Sequence, residues 1–425
     1  MHFTTEAERL KRRIKNKHMI LPREIISALP KTDLHLHLDG SLRLSSLIEL
    51  AKERNVKLPS YTEEGMNELV FRPHYNNLVE YLEGFNYTCA VLIDEEALER
   101  TAYELAWDNI NEGVRYIETR FAPQLHINEN LSLEQIIRAV NRGFAKAEAE
   151  YNASPAVAEN GEPPFHYGLI TCAMRFFVAA SSPYYAKLME VFREAPLKEI
   201  YSMASLELAR AVVRLRDEEG IPIVGFDLAG AEAGHPASDH EAAYHYVHKN
   251  FMHKTVHAGE AYGPESIFQA ITDLHADRIG HGYHLFSPEL CGPTVKDPQQ
   301  YIERLIRHIA DSRTTIEVCI TSNMQTNPAI GDVKNHAFGK MLANNLSATL
   351  CTDNRLVSHT TVTDEVELAL KTFDLTPRQL RDTIVYGFKR SFFSGPYTER
   401  RKYVRQVLNY YDSIIEKYNK EQENK

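Results

Sequence analysis

At 425 residues, with 43% apolar and 25% charged side chains, the chain can bury one large core, and a single elaborated barrel accommodates it as well as two domains would. Its formal net charge of −10 argues against non-specific binding to nucleic acid or anionic membrane and leans toward a neutral or cationic small molecule. The N-terminal stretch holds no apolar signal core and no long apolar run follows it, so the expectation is a soluble, cytoplasmic protein with neither a membrane nor a nucleic-acid partner.

Residues 1–20 carry a basic cluster, Arg9, Lys11, Arg12, Arg13, Lys15 and Lys17, which reads as a solvated helical lead-in. From 21 to 416, short β-rich apolar segments alternate with longer amphipathic ones, the signature of βα units around a parallel sheet. Strands are expected at 32–38, 114–121, 167–174, 221–228, 254–257, 278–281, 314–319 and 348–352. Eight such units close a (β/α)8 TIM barrel, here as a single domain. The stretches 39–113 and 141–166 exceed what one helix needs and read as insertions, and 417–425 reads as a frayed polar tail. Cys89, Cys172, Cys291, Cys319 and Cys351 are scattered, odd in number and never in a C-x-x-C pair. That excludes a thiolate zinc cluster or disulfide framework and leaves each as a small buried hydrophobe.

The first strand runs Asp33-Leu-His35-Leu-His37-Leu-Asp39-Gly40. Because side chains alternate, His35, His37 and Asp39 share one face and the leucines the other, and two imidazoles so spaced can grip one metal ion. His-x-His alone is weak evidence, since structural histidines also occur in this pattern. Further donors stand at later strand ends: His257-Ala-Gly-Glu260, Gly280-His281-Gly282 and Thr352-Asp353-Asn354. In a barrel these all reach the C-terminal face, where active sites form. His35, His37, His257 and Asp353 make a nitrogen and oxygen set suited to one Zn²⁺ with a position left open for water. Glu260, beside a ligand without being one, has the placement of a proton donor or acceptor, and equally that of a loop acid. His281 is compatible with a base or with a residue supporting the metal.

Together with Gly113-Val-Arg-Tyr-Ile-Glu-Thr-Arg120-Phe-Ala-Pro123 and Asp227-Leu-Ala-Gly230, these motifs resemble, in order from about residue 21 to 393, the adenosine deaminase family of the amidohydrolase superfamily, in its bacterial form. The resemblance implies zinc-dependent hydrolysis of adenosine, and of 2′-deoxyadenosine, to the 6-oxo purine and ammonia, within purine salvage. It implies zinc on His35, His37, His257 and Asp353, with Asp353 also in the catalytic group. Glu260 then protonates purine N1, His281 orients the attacking water and moves a proton, Gly230 offers its backbone to N3, and Asp39 contacts ribose. His37 also lies against the substrate. Leu78, Tyr81, Leu82 and Phe85, at i, i+3, i+4, i+7 spacing, align with the segment covering the ribose side, although the spacing alone fits ordinary core packing equally.

One departure stands out. Eukaryotic members commonly read Thr-Asp-Asp-Pro after the last strand and this chain reads Thr352-Asp353-Asn354-Arg355, so Asn354 is expected at purine N7. Rival readings are a deaminase of adenine, adenylate or aminodeoxyfutalosine on the same barrel, and a non-catalytic, metal-stabilised binding protein. Retention of both Glu260 and His281 counts against the last, because a structural metal site needs neither. The cytidine deaminase type of site is excluded by the absence of a Pro-Cys-x-x-Cys segment.

Overall fold

A computed structural model describes residues 19–424. The basic cluster between Arg9 and Lys17 lies outside the described residues. Eight parallel strands run in sequence order: β1 Lys31–His37, β2 Val114–Phe121, β3 His166–Met174, β4 Ile223–Ala229, β5 His253–Ala258, β6 Arg278–His281, β7 Thr315–Val318 and β8 Ala348–Leu350. Each expected strand is present, 114–121 and 278–281 at the expected bounds and the others with ends displaced by at most two residues. The ring closes where the backbone just beyond β8 meets β1. The amide of His37 donates to the carbonyl of Asp353 and the amide of Asp353 donates to that of His35, each at 2.8 Å.

Side chains on both strand faces are buried, one face under the helices and the other in the barrel interior. The helix Leu133–Asn152 shows how sequence places the outer layer. Ser132 and Gln135 form a reciprocal capping box at its start, and Ile136, Val140, Phe144, Ala147 and Tyr151 recur on the buried face.

Two boundaries differ from expectation. The first half of the stretch 141–166 is the continuation of that helix, because its apolar stripe runs on to Tyr151, and only the turn around Pro155–Ala158 is extra. Where a frayed polar tail was expected from residue 417, the last helix, Tyr397–Glu423, continues through 417–423, largely exposed but with Tyr418 partly buried against the core. The insertion at 39–113 folds as five helices, and an unforeseen one adds the helix Pro183–Val191 after β3. Of the five cysteines, Cys172, Cys319 and Cys351 are buried as expected, while Cys89 and Cys291 are partly exposed.

Candidate active site

The four donors expected to share a metal ion converge at the C-terminal ends of β1, β5 and β8, with one ligand atom from each of His35, His37, His257 and Asp353 within 4.8 Å of the others. His37 Nε2 and His257 Nε2 face each other at 3.2 Å. Asp353 Oδ1 lies 3.4 Å from His35 Nε2 and 3.3 Å from His37 Nε2. His35 Nε2 is enclosed with no hydrogen-bond partner, an arrangement that a divalent cation at the centre would satisfy.

Groups behind the imidazoles set their aim. His35 Nδ1 contacts Glu317 Oε2 at 2.9 Å and His257 Nδ1 contacts Asp227 Oδ2 at 3.0 Å. A ring that gives its Nδ1 proton to a carboxylate turns a bare Nε2 lone pair toward the centre, the form a metal takes. Ser322 donates to the second oxygen of Asp353 at 2.7 Å, leaving Oδ1 for the cluster. Arg120 joins the two supporting acids, 2.9 Å from Asp227 Oδ2 and 2.9 Å from Glu317 Oε2. Arg278 extends the chain, pairing with Glu317 Oε1 at 2.7 Å and with Glu118. All these side chains are enclosed.

Burial alone would protonate both acids. His257 and Arg120 beside Asp227, and Arg120 and Arg278 beside Glu317, outweigh it and hold both carboxyls well below their usual range. Burial pushes His37 down to about 3 and also lowers His257, so both rings are neutral and can act as ligands.

Glu260 and His281 stand beside this cluster, Glu260 Oε2 lying 3.7 Å from His281 Nε2. Burial, reinforced by Asp353 and Glu232, raises the Glu260 carboxyl well above its ordinary range and so favours its protonated form. His281 is kept neutral by burial and by neighbouring His35. Its tautomer follows from the hydrogen-bond network. His336 Nε2 meets Asn323 Oδ1 at 3.2 Å, which turns the Asn323 amide toward His281 Nδ1 at 3.1 Å and leaves the ring proton on Nε2, facing Glu260. His281 and Asp353 both adopt left-handed backbone, φ 64° and 62°, which non-glycine residues take at a cost and which here aims their side chains into the site.

A cavity of about 270 Å³ opens onto these groups. Leu78, Tyr81, Leu82 and Phe85 all line it, so the stripe left open between core and pocket faces the pocket. Asp39, Gly230 and Asn354 line it as well. Gly230 has φ +95°, and a Cβ there would crowd Met174 Cε at 3.2 Å, so its bare backbone is what the cavity meets. Asp39 is 3% exposed and its Oδ1 has no hydrogen-bond partner. The Asn354 amide donates to Tyr81 Oη at 2.8 Å, its Oδ1 is unpartnered, and its side chain caps no amide of the following turn Arg355–Ser358.

Sequence reasoning gave no role to Arg120 or Asp227 and missed Glu317, Arg278, Ser322, Asn323 and Glu232. Glu232 accepts the backbone amides of Gly259, Glu260, Ala261 and Tyr262 at 2.8–3.1 Å, fixing the loop that presents Glu260. Its signal was proximity to Gly230 in the same motif.

Comparison with known proteins adds a separate line of evidence. The sequence profile of the adenosine deaminase family matches residues 30–410. The chain is 34% identical to adenosine deaminase 1 of Streptomyces coelicolor over 385 residues, 90% of this chain and 87% of that one. It is 34% identical to adenosine deaminase of Mycobacterium marinum over 388 residues, 91% and 96% of the two chains. A probable adenosine deaminase of Dictyostelium discoideum is 33% identical over 382 residues, and this chain spans only 42% of it. Among solved structures, an adenine deaminase from Arthrobacter aurescens aligns with TM-score 0.70 at 21% identity, covering 90% and 99% of the two chains. An amidohydrolase from Burkholderia ambifaria with bound zinc aligns with TM-score 0.70 at 17% identity, covering 94% and 96%.

Proposed function

The chain belongs to the adenosine deaminase family, and from that footing we propose that it converts adenosine, and 2′-deoxyadenosine, to the 6-oxo nucleoside and ammonia by zinc-dependent hydrolysis. The observation that carries the reading is the placement of Glu260 Oε2 3.7 Å from His281 Nε2, both against a His3Asp donor cluster. His35, His37, His257 and Asp353 are the proposed zinc ligands. Zinc bound there supplies Lewis acidity, lowering the pKa of a water from about 15.7 toward about 7.

The chain's own residues do the rest. As oxygen adds to C6, negative charge moves onto the purine ring, and Glu260 gives its proton to N1 to take it up. His281 presents Nε2–H to the oxygen at C6 and so orients it for attack. The backbone N–H of Gly230 bonds N3, and Asp39 accepts from the sugar hydroxyls. Of the two protons the water brings, one returns to Glu260 and the other passes to the exocyclic amine, which leaves as ammonia as the C6–N bond breaks and C6 becomes the carbonyl carbon.

Adenosine is favoured over adenylate because none of the cavity-lining residues is Lys or Arg, while Asp39 would repel a phosphate. The testing experiment is a panel of adenosine, deoxyadenosine, adenine, adenylate and aminodeoxyfutalosine scored by ammonia release, alongside elemental analysis. Adenosine and deoxyadenosine lead the panel and one zinc per chain is found. A panel led by adenine or adenylate rejects the substrate, and a zinc-free active enzyme rejects the metal. A cytoplasmic purine-salvage role completes the proposal. It is supported by five cysteines that form no disulfide, and cell fractionation with growth on adenosine as purine source tests it.

Two site roles carry their own tests. Asp39→Ala lowers kcat/KM for adenosine by about tenfold to a hundredfold, the effect of losing a buried hydrogen bond to a charged group, and leaves adenine turnover nearly unchanged. Equal losses on both substrates would assign Asp39 to the metal site. Asn354 is proposed to give its second amide hydrogen to N7, the first being held by Tyr81. Wild type therefore discriminates against 7-deazaadenosine, and Asn354→Ala discriminates much less. Unchanged discrimination makes Asn354 a support for Tyr81 only.

A further inference from the structure

Asp39 has neighbours that the proposed reaction does not use. Cys89, on the helix Phe85–Val91, and His126, just past the turn Pro123–Leu125, each place a donor atom within 4.8 Å of the Asp39 carboxylate and of each other. His126 Nε2 is 3.8 Å from Asp39 Oδ2. The His126 side chain is fully enclosed, yet neither ring nitrogen has a hydrogen-bond partner, and Asp39 Oδ1 lacks one too. Unpartnered polar atoms on both His126 and Asp39 in one enclosed place call for an occupant that engages the two side chains together. At 3.8 Å His126 and Asp39 make no direct hydrogen bond, whereas an ion between them would take one His126 nitrogen and a carboxylate oxygen at once.

We propose that Asp39, Cys89 and His126 form a second metal site, separate from the His3Asp cluster, that takes a borderline divalent ion such as zinc or cadmium. One nitrogen, one oxygen and one sulfur donor suit such ions and not magnesium or calcium, which take oxygen ligands. As the sulfur–metal bond forms, the Cys89 thiol passes its proton to solvent. Cys89 and His126 do not line the cavity, whereas Asp39 does, so the ion sits beside the cavity and holds Asp39 from one side. Resting on the assignment of Asp39 to the sugar, occupancy withdraws that carboxylate from the nucleoside and inhibits the enzyme competitively.

The test starts from enzyme holding one zinc per chain and adds Cd²⁺ or further Zn²⁺. Wild type takes up a second equivalent, shows a thiolate-to-cadmium charge-transfer band, and protects Cys89 from alkylation, as located by peptide mapping. Saturating Zn²⁺ raises KM for adenosine within the range usual for coupled sites, about 5- to 150-fold, with kcat unchanged. Cys89→Ser and His126→Gln keep the first zinc and lose both the second equivalent and the KM effect. A single equivalent at saturation, Cys89 alkylated equally fast with and without metal, or an unchanged charge-transfer band in Cys89→Ser overturns the site. Uptake and alkylation involve no substrate, and the alkylation result needs no variant. Second-site uptake with an unmoved KM therefore overturns the inhibitory role and the sugar assignment of Asp39 while leaving the metal site in place.

Discussion

Glu260→Gln is expected to fold, retain its metal and lose about 10² to 10⁴ of kcat, the usual worth of a positioned general acid. The fold survives because the wild-type side chain is already neutral. Burial, Asp353 and Glu232 keep its proton on, so an uncharged amide of the same shape enters the same enclosed place. The chemistry fails because an amide has no proton acidic enough to give to purine N1. KM for adenosine should move little, since the interaction is made as charge builds on the ring and not in the ground state. Steady-state kinetics, elemental analysis and a thermal melt on one preparation check all parts. A variant within threefold of wild type in kcat would remove Glu260 from the mechanism.

Arg120→Met should be severely damaging to stability. The guanidinium is the shared partner of Asp227 and Glu317. Methionine fills much of the space but strands two enclosed carboxylates, and removing one partner from a buried ion pair costs about 3–5 kcal/mol. The metal site suffers with it, because those acids aim His257 and His35, and loss of such support typically lowers metal affinity about 10- to 100-fold. The pH dependence has a definite sign. Both carboxyls are held below their usual values in the fold, so the wild-type pairs contribute fully above the unfolded values of about 3.9 and 4.3 and lose that contribution in acid. The deficit of Arg120→Met is thus widest near neutrality and narrows as pH falls. Urea unfolding at several pH values measures it, and a midpoint within error of wild type at neutral pH sinks the idea. Arg120→Lys should recover only part, since an ammonium on one stem cannot reproduce two diverging guanidinium contacts.

Those two residues mark the limit of what the sequence disclosed. His35, His37, His257 and Asp353 were legible because they combine ligand chemistry with strand-end positions, and a barrel sends every strand end to one face. Glu317 was not. It stands within the short apolar segment Thr315–Val318, where a lone acid resembles any solvent-facing residue of an alternating strand, and only closure of the ring turns it inward to meet Arg120 and Arg278 from other strands. Arg120 and Asp227 were seen as parts of motifs, but their pairing spans 107 residues and no local pattern encodes it. Leu78, Tyr81, Leu82 and Phe85 had a spacing that suits core and cavity equally, and only the placement of the helix Leu78–Leu82 and of the start of the helix Phe85–Val91 over the site decided between them. Glu232 was missed for a different reason: apart from the Ser266 hydroxyl its partners are backbone amides, which leave only its nearness to Gly230 as a mark in the sequence.

The way the cylinder is sealed has a bearing on how it opens. Seven neighbouring strand pairs share a register, but the eighth junction rests on an isolated bridge in which Asp353 accepts from the amide of His37 and donates its own amide to the carbonyl of His35. The staves of this barrel are therefore clasped by the residues whose side chains gather at the donor cluster. Opening of the clasp would shift His35, His37 and Asp353, three of the four clustered donors, so amide hydrogen exchange at His37 and Asp353 is expected to slow when an ion is bound there, a readout that needs no assay of turnover.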